Sequence, residues 1–413
     1  MHVVILNQTF HPDVAATAQH MWDLARHLTK AGHRVTAITS QTVYGSTERF
    51  EKTHEVIEGI EIFRVKQTAF GKKNILGRLI DFGSFYLTAF ARLARIGCPD
   101  VIYGLTSPPM ISVLAQIVRT FRRSPSKKRI AFVHHLMDLY PDAAVAMKVA
   151  RPRALTTRIT AWFTRRMLKH ADATIVLGED MKRRIVSEYG VSPDDPRLHV
   201  VTPWADPHEL FPIYPSENPL RLELGINQTF NIVYSGNLGM AHDVETMSSA
   251  VQRTRNDLNL KWLFIGSGKR FDLLKARATE KAWPNATFLG YRDRSKLNAS
   301  LNLADVHLIS QLPEFTGIVV PSKLFGIMAV GKPAVMIGPN DAAVSEIILK
   351  NDAGFVVPIG DVDGLIGAIE RLRNDPNLLK GLGSNARKAF ERDHSSTVCC
   401  ERILQILNAS LNS

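Results

Sequence analysis

The stretch that most constrains this chain is residues 304–338, which read ADVHLISQLPEFTGIVVPSKLFGIMAVGKPAVMIG. Apolar and β-branched runs predict strands over 305–310 and 333–337, and Pro321 and Gly331 are placed to begin and end a short helix between them. The loop and the helix N-terminus would then meet at one point, where backbone N–H groups, the helix dipole and Lys323 favour a phosphate. The alternative interpretation is a buried strand, helix and strand without a ligand.

The residues of this stretch resemble the glycosyltransferases of family 4. The family pattern has a glutamate, a glycine three residues later, a second glutamate eight residues after the first, and then a helix and Gly-Lys-Pro. Glu314, Gly317 and the Gly-Lys-Pro at 331–333 match, whereas Ser322 stands at the place of the second glutamate. The form VPSKLFGIMAVGKP is similar to the WbuB-type branch of amino-sugar transferases in bacterial polysaccharide synthesis. The resemblance implies transfer from a nucleotide-sugar with retention.

Strand and helix patterns alternate in both halves of the chain, and its 413 residues exceed what one core usually serves. The proline-dense run PWADPHELFPIYPSENP separates the two halves. The sequence therefore predicts an α/β fold of two doubly wound parallel-sheet domains, over residues 1–204 and 205–392, with a cleft between them. The resemblance implies that this is the GT-B fold, with two Rossmann-like domains and a terminal helix over 393–413 that packs back on the first domain.

The net charge of +12 lies wholly in the first half, because residues 1–205 hold 29 Lys and Arg against 17 Asp and Glu. Such an excess indicates an anionic partner, which is a membrane surface, a lipid diphosphate or nucleic acid, unless it is only a solvated basic surface. Nucleic acid is disfavoured because aromatic residues are not interleaved with the basic ones. We predict docking on an anionic membrane through the run RTFRRSPSKKR at 119–129 and a second cluster of Lys72, Lys73, Arg78, Phe82, Phe85, Tyr86 and Phe90.

Three cysteines, two of them adjacent, do not form a disulfide framework, which makes a reducing cytoplasm the expected compartment. The first residues read directly as a strand, so no signal peptide is expected. Charged residues interrupt the apolar window 75–96, and Pro108 with Pro109 divides the window 101–118, so neither window should span a bilayer. The predicted location is the cytoplasm, peripheral at the inner face of the membrane.

Polar residues follow two predicted strands of the first half. His11 and Asp13 lie in the loop after the first strand and are candidates to face the cleft. The alternative interpretation of this loop is a plain strand-to-helix connection. His134 and His135 end a later strand, and because side chains alternate along a strand, at most one of them should reach a cleft. A structural histidine is the other interpretation. Asp138 follows in a segment that resembles the Asp-x-x-Pro-acid segment of the WbuB-type branch, which implies contact with a sugar or an acceptor hydroxyl.

In the second half, the segment VYSGNLGMAHDVET stands where many family members carry an arginine and, five residues later, a lysine that grip the diphosphate. Asn237 and His242 occupy those two places here. The resemblance then implies that Ser235, Gly236 and Asn237 form a neutral hydrogen-bonding turn near the diphosphate. Lys323 becomes the expected principal cation of this domain.

The remaining donor contacts are expected at the ends of the other strands. FIGSGKRFDLL opens a helix after a strand, so its glycines, Lys269 and Arg270 are candidates to approach phosphate, although the pattern fails as a dinucleotide fingerprint. By resemblance, the backbone after the strand in TFLGYRD meets the nucleotide base, and Glu314 binds sugar hydroxyls. The other residues assigned to donor binding are Gly266, Gly268, Lys269, Tyr291, Arg292, Gly317, Ile318, Val319 and Ser322.

Asp361 and Asp363 form an Asp-x-Asp pattern that can hold a metal, but their place between a strand and a helix favours a helix cap. The resemblance likewise implies metal-independent transfer, with no cofactor beyond the nucleotide-sugar. Together these features predict a retaining glycosyltransferase that moves an acetamido sugar from a UDP-sugar to a polysaccharide, lipid-linked or other hydroxyl acceptor. The alternatives are another GT-B enzyme, such as a UDP-sugar 2-epimerase or a phosphorylase, and an inactive relative that binds a lipid diphosphate or a partner enzyme.

Overall fold

The computed structural model describes residues 1–43, 46–70, 75–122 and 129–411. The chain divides into two compact units, one formed by Met1–Thr202 with Cys399–Ser413 and the other by Pro203–Val398. The boundary falls at the start of the proline-dense run. Each unit has its own sheet and its own apolar core.

The first unit is built on one sheet with strands β1 (His2–Leu6), β2 (Arg34–Ser40), β3 (His54–Ile57), β4 (Ile60–Val65), β5 (Val101–Gly104), β6 (Ala131–His135), β7 (Ala173–Val176) and β8 (Leu198–Val200). Their order is β3-β4-β2-β1-β5-β6-β7-β8, and the pairings are parallel except for the antiparallel edge strand β3. The central strands β5 and β6 are buried throughout, which is why they read as short continuous apolar runs.

The helices of this unit that precede the linker are α1 (Ala16–Lys30), α2 (Ile75–Leu93), α3 (Ser112–Phe121), α4 (Asp142–Ala146), α5 (Leu155–His170) and α6 (Glu179–Tyr189). Residues of α2, α3 and α5 share one core cluster with Leu6, Ile102 and Phe132 of the sheet. The strand order runs outward in opposite directions from β1 and β5. The carboxyl ends of β1 and β5 therefore flank a topological switch point, which is where open α/β sheets bind their ligands.

The second unit is built on a parallel sheet with strands β9 (Phe230–Asn237), β10 (Leu260–Ser267), β11 (Ala286–Leu289), β12 (Val306–Ser310), β13 (Ala334–Ile337) and β14 (Gly354–Val357). Their order is β11-β10-β9-β12-β13-β14, so the switch point lies between β9 and β12. The predicted fold of two parallel-sheet, Rossmann-like domains is confirmed.

The remaining helices are α7 (Pro219–Glu223), α8 (Glu245–Arg253), α9 (Lys269–Glu280), α10 (Leu297–Leu301), α11 (Lys323–Ala329), α12 (Ala343–Lys350), α13 (Val362–Asn374), α14 (Pro376–Ala389) and α15 (Ser396–Ser410). Asp361 caps α13 by accepting a hydrogen bond from the Gly364 amide at 2.8 Å. Asp363 instead pairs with Arg253 at 2.6 Å. The Asp-x-Asp pattern is thus a helix start, as predicted, and no group of three or more metal-ligand side chains occurs among the described residues.

Helix α15 begins in the second unit, and its residues from Cys399 onward belong to the first. Its buried residues are Cys399, Cys400, Ile403, Leu404, Leu407 and Ser410, most of which recur on one helical face. Glu401 pairs with His27 of α1 at 3.2 Å. Residues of α15 from Cys399 onward are therefore part of the first unit. In the part of the chain that the structure describes, no helix is long and apolar enough to cross a membrane.

The structure shows the environment of some of the predicted membrane-facing residues. Phe85 is buried in the core cluster, and the Tyr86 hydroxyl donates a hydrogen bond to the Pro109 carbonyl. At the ends of the basic run, Arg119 and Arg129 both pair with Asp172. Lys72, Lys73, residues 123–128 and the side chain of Arg78 lie outside the described residues. Phe85 and Tyr86 are therefore structural, whereas Phe90 is exposed, and docking through these two clusters stays a prediction.

Candidate active site

Lys323 is the first residue of α11, and it contacts the last residues of β9. Its Nζ donates a hydrogen bond to the Tyr234 hydroxyl and lies 3.8 Å from the centroid of the Tyr234 ring. A Cβ placed on Gly236 would lie 3.7 Å from Lys323 Cε, so the lysine also covers the end of the strand. Burial lowers the pKa of Lys323 to about 7. Among the described residues, no carboxylate forms an ion pair with it, which leaves a desolvated cation without a counter-ion.

His242 lies beside this lysine but stays neutral. Its Nδ1 is 2.6 Å from the Ser310 carbonyl oxygen, which can only accept, so Nδ1 carries the proton. Burial, with smaller effects of the Lys323 and Arg270 charges, lowers the pKa of His242 to about 3. His242 therefore does not replace the lysine that many family members carry at this place.

Arg270 and Lys269 open α9, but they differ in their surroundings. Arg270 is half-buried and lies close enough to His242 for its charge to lower the histidine pKa, whereas Lys269 is exposed. The Glu245 carboxylate pairs with Arg277 at 2.6 Å, and in the described part of the chain Arg270 forms no ion pair. Of the two predicted cations after β10, Arg270 is therefore the one that lies near His242, together with Lys323. These three residues are called the Lys323 cluster.

Ser235, Gly236 and Asn237 are the last residues of β9 rather than the predicted turn. The strand remains paired with β10 there, because Gly236 faces Gly266 and Asn237 faces Ser267. Gly266 has a φ of +136°, and a Cβ on it would meet the Gly236 carbonyl oxygen at 2.1 Å. The glycine is thus required by the close approach of the two strands, before any ligand is considered.

A similar constraint acts at Gly268, which precedes α9. It has a φ of +128°, and a Cβ on it would lie 2.6 Å from Asn237 Oδ1 and from the Leu238 carbonyl oxygen. The Tyr234 hydroxyl donates to the Asn237 carbonyl oxygen at 3.1 Å. These contacts hold the ends of β9 and β10 together beside Lys323.

The loop after β12 is organised by the buried side chain of Gln311. Its Nε2 donates to the carbonyl oxygens of Phe315 at 2.9 Å and Val319 at 3.1 Å. The Leu312 amide donates to the Ala241 carbonyl oxygen at 2.8 Å, which ties this loop to the one after β9. This hydrogen bond therefore holds together the loops after β9 and β12, which lie on either side of the switch point.

The predicted residues of this loop have different environments. Glu314 is exposed, and it forms no hydrogen bond or ion pair with the described residues. Ile318 is buried, so its side chain belongs to the protein interior rather than to a ligand surface. Gly317 has a φ of +71°, and Ser322 is the residue immediately before α11. Glu314 is therefore accessible to a sugar hydroxyl but is not held by the protein.

Tyr291 and Arg292 follow β11 in the loop where the nucleotide base is expected. Tyr291 is exposed, and it lies close enough to Tyr234 to add to the burial effect that raises the pKa of Tyr234. Arg292 is half-buried. The structure thus brings Tyr291 toward the same cluster as Lys323, His242 and Arg270.

In the first unit, His134 and His135 lie on opposite faces of β6, and both are buried. His134 Nδ1 lies 3.0 Å from Ser112 Oγ, and His135 Nδ1 lies 2.7 Å from the Tyr103 hydroxyl. Burial lowers the pKa of His134 to about 4 and that of His135 to about 3. Both histidines are therefore buried and neutral near pH 7, and a catalytic role for either stays a prediction.

Asp138 differs from the two histidines because its carboxylate has no hydrogen bond or ion pair among the described residues. Its backbone amide lies 3.2 Å from Thr106 Oγ1, which places it at the carboxyl end of β5. Burial raises the pKa of Asp138 to about 6. A desolvated carboxyl group at a switch point is typical of a functional site.

The two polar residues after β1 have structural partners. The His11 ring stacks on Trp22 with centroids 4.0 Å apart, and Asp13 Oδ1 accepts a hydrogen bond from the Ala15 amide at 3.3 Å.

Sequence reasoning did not select Tyr234, because an aromatic residue inside an apolar strand is usually ordinary core. Its position two residues before Gly236 was the available signal.

Two family models match the chain. The Glycosyl transferase 4-like domain matches residues 16–204, and Glycosyl transferases group 1 matches residues 219–389. The probable glycosyltransferase WbjE of Pseudomonas aeruginosa is 25% identical over 80% of each chain. WcaI of Escherichia coli, named for colanic acid biosynthesis, is 24% identical over 81% of this chain and 83% of its own length.

Solved structures show the same fold. Sucrose-phosphate synthase from Thermosynechococcus elongatus superposes with a TM-score of 0.76 at 15% identity, covering 99% of this chain and 98% of that one. Anabaena HepE, solved with UDP and glucose, superposes with a TM-score of 0.72 at 16% identity, covering 99% of this chain and 100% of that one. The two domain matches, the curated relatives and the fold agree with one another. The chain is a glycosyltransferase of the group 1 family with the GT-B fold.

Proposed function

We propose that this chain is a retaining transferase that moves an acetamido sugar from a UDP-sugar to a hydroxyl group of a polysaccharide or lipid-linked acceptor. The observation that carries the proposal is Lys323, a desolvated amino group at the switch point of the second sheet that forms no ion pair with any residue the structure describes. A site of this kind is suited to an anion such as a diphosphate.

The chemistry follows from where charge develops. As the bond between the sugar and the diphosphate breaks, the sugar approaches an oxocarbenium ion and the leaving group gains negative charge. A preorganised cation aimed at that charge stabilises the transition state more than the ground state. We assign this role to Lys323 with Arg270, and we assign Glu314 to the sugar hydroxyls. Because these side chains supply the positive charge, we propose transfer without a metal ion.

The donor and acceptor classes rest on resemblance. HepE was solved with UDP and glucose, and WcaI is named for colanic acid biosynthesis. The segment VPSKLFGIMAVGKP supports the WbuB-type branch and hence an acetamido sugar. The charge of +12 in residues 1–205 supports association of the first unit with an anionic membrane at the cytoplasmic face, where a lipid-linked acceptor is available.

The proposal is tested by incubating the protein with a panel of UDP- and GDP-sugars and measuring released nucleotide diphosphate. We expect release from UDP-linked acetamido sugars to exceed that from UDP-glucose. The configuration of the transferred sugar, read by NMR on the product, should match that of the donor. EDTA should leave the rate unchanged.

Each other result contradicts a defined part of the proposal. A free 2-epimerised sugar with UDP would identify an epimerase. The absence of release from every donor, with acceptor extracts present, would identify an inactive relative. An inverted product would contradict retention, and a preference for UDP-glucose would contradict the acetamido assignment.

The first prediction separates the two basic residues that open α9. Arg270→Ala should lower kcat/KM for the donor by about 10- to 100-fold, because it removes one charged donor to the diphosphate. Lys269→Ala is the matched control and should stay within about threefold of wild type, since Lys269 is exposed. A larger loss in the Lys269 variant than in the Arg270 variant would contradict the assignment.

The second prediction concerns Asp138. Its ionised carboxylate can accept a hydrogen bond from an acceptor hydroxyl, so Asp138→Asn should lower kcat/KM for the acceptor by about 10- to 100-fold. Because burial raises the pKa of Asp138 to about 6, kcat/KM of the wild-type protein for the acceptor should rise with pH up to about 6. The Asp138→Asn variant should not show this rise.

Stability provides the control for this variant. A carboxyl group whose pKa is raised in the folded state makes unfolding easier as pH rises toward 6. Asp138→Asn should therefore be at least as stable as wild type above that pH, measured by thermal unfolding. A fully active variant would contradict the acceptor role, and an inactive one that is less stable than wild type would show that Asp138 serves the fold instead.

A further inference from the structure

Helix α5 has an unusual outward face. Leu155, Ile159 and Trp162 recur at a spacing of one helical turn, and their side chains are 70%, 45% and 54% exposed. The face that packs on the sheet carries Thr157 and Thr164 beside Met167 and Leu168. A helix in contact with water normally has the reverse distribution, with its large apolar residues turned inward.

The same segment carries an uncompensated charge. Residues 143–171 contain no Asp or Glu, and they contain the basic residues Lys148, Arg151, Arg153, Arg158, Arg165, Arg166 and Lys169. In the part of the chain that the structure describes, none of these seven forms an ion pair. By contrast, nearby Arg119 and Arg197 pair with Asp172 and Asp195. More than half of the +12 of the first half therefore comes from this segment.

The apolar face continues onto α3. The two helices are joined by hydrogen bonds from Gln116 Nε2 to the Arg166 carbonyl oxygen at 3.2 Å and from Arg119 to the His170 carbonyl oxygen at 3.0 Å. Beside them on α3, Ile117 is exposed and Phe121 is 82% exposed. Along α5, the residues Leu155, Arg158, Ile159 and Trp162 lie in the wall of an open depression of about 800 Å³.

We propose that this surface, formed by the outward faces of α5 and α3 and called the α5 face, docks on an anionic lipid bilayer. Leu155, Ile159 and Trp162 would enter the interfacial layer while Arg158 and Arg166 contact the headgroups. The inference deepens the membrane association proposed above and rests on it. It does not depend on the sugar chemistry.

Two features favour a lipid surface over a protein partner. Arginine and lysine alternate with apolar side chains without any acid, which matches the amphipathic helices that lie in the plane of anionic membranes. Trp162 carries an apolar ring and a single N–H donor, the combination that concentrates at membrane interfaces. The Arg166 guanidinium lies 5.7 Å from the centroid of the Trp162 ring, so a cation and an aromatic ring lie side by side on the α5 face.

Tryptophan fluorescence gives a direct readout. The chain has five tryptophans, and Trp22, Trp204, Trp262 and Trp283 are at most 8% exposed, which leaves Trp162 as the one accessible to a quencher. Iodide should quench Trp162 in solution, and vesicles containing phosphatidylglycerol should protect it. Trp162→Phe should show little quenching in either state. Unchanged quenching on sedimented vesicles would overturn the proposal.

Vesicle co-sedimentation tests the charges. The double variant Arg158→Gln/Arg166→Gln should bind phosphatidylglycerol vesicles roughly 10- to 30-fold more weakly, because each basic residue near an anionic surface contributes separately. The charge-matched control Lys30→Gln/Lys52→Gln removes two exposed lysines outside the α5 face and should stay within about twofold of wild type. Equal weakening in both pairs would overturn the α5 face, and equal binding of wild type to neutral vesicles would overturn the anionic assignment.

The proposed transfer is measured separately, as UDP release without vesicles. The Arg158→Gln/Arg166→Gln variant should keep the wild-type rate, because neither residue belongs to the candidate active site. Loss of vesicle binding with intact UDP release supports the α5 face. Wild-type protein that releases UDP but ignores anionic vesicles contradicts the α5 face and leaves the transfer standing. Vesicle binding without UDP release contradicts the transfer alone.

Discussion

Replacing Lys323 with alanine should lower kcat for UDP release by about 10²- to 10³-fold, the effect of removing one preorganised donor from a developing negative charge. The expected loss is large because this chain lacks both cations that many family members place after the first strand of the second domain. Asn237 stands at the arginine position, and His242 is held neutral by burial and by the Lys323 charge itself. The cation that remains on α11 must therefore carry most of the stabilisation of the leaving diphosphate.

Steady-state kinetics with the best donor of the panel measures this effect. Lys269→Ala provides the control, since it removes a lysine that is exposed and outside the cluster. Thermal unfolding of the Lys323 variant should show a folded protein, because its hydrogen bond to Tyr234 is one contact of a well-packed core. A folded Lys323→Ala protein with kcat within threefold of wild type would place the diphosphate on the loop amides and Arg270 instead.

The activity should also decline on the alkaline side of neutrality. Burial lowers the pKa of Lys323 to about 7, and only its ammonium form attracts the diphosphate. Well above that pH the protonated fraction of the free enzyme falls about tenfold per pH unit, so kcat/KM for the donor should drop by roughly 50-fold between pH 7, where half of the lysine is protonated, and pH 9. Both phosphates of the donor stay ionised across this range, so the donor itself does not produce the limb.

The parameter kcat should be less sensitive to pH than kcat/KM. A bound diphosphate favours the charged lysine and raises its pKa, so the limb of kcat should move to higher pH. Lys323→Arg tests the origin of the effect, because a guanidinium group stays protonated throughout. The alkaline limb should disappear in this variant even if its maximal rate is reduced. An unchanged limb in Lys323→Arg would assign it to another group.

Much of the fold was predictable from local pattern. The strands predicted over 305–310 and 333–337 are confirmed to within one residue as Val306–Ser310 and Ala334–Ile337, since runs of β-branched and apolar residues there meet clear turn signals. Helix α14 starts where Pro376 follows the capping residue Asp375, a combination that is readable from sequence alone. The edge strand β3 was missed because its alternating polar residues lie on an exposed edge, where little apolar burial marks a strand.

The candidate site was less predictable, because the same residue pattern serves both a ligand and the protein core. The glycines at the ends of β9 and β10 looked like a phosphate loop, yet Gly266 is required by its neighbour Gly236. The two histidines of β6 are predicted as candidates for catalysis, and Nδ1 of each has a partner in the core of the first unit, so the sequence pattern does not separate a catalytic from a structural role. Only the contacts decide between these interpretations.

The amino-acid sequence by itself determined the alternation of strands and helices, the parallel sheets and the basic first half, because these follow from periodicity and composition. The tertiary structure decided which charges matter. Tyr234 is 89 residues from Lys323, and the low pKa of the lysine arises only when folding removes water from the pair. Likewise, the sequence holds the cations of α5, but packing decides that none of them has an acidic partner among the described residues, since burial and ion pairing are properties of surfaces that distant segments form together.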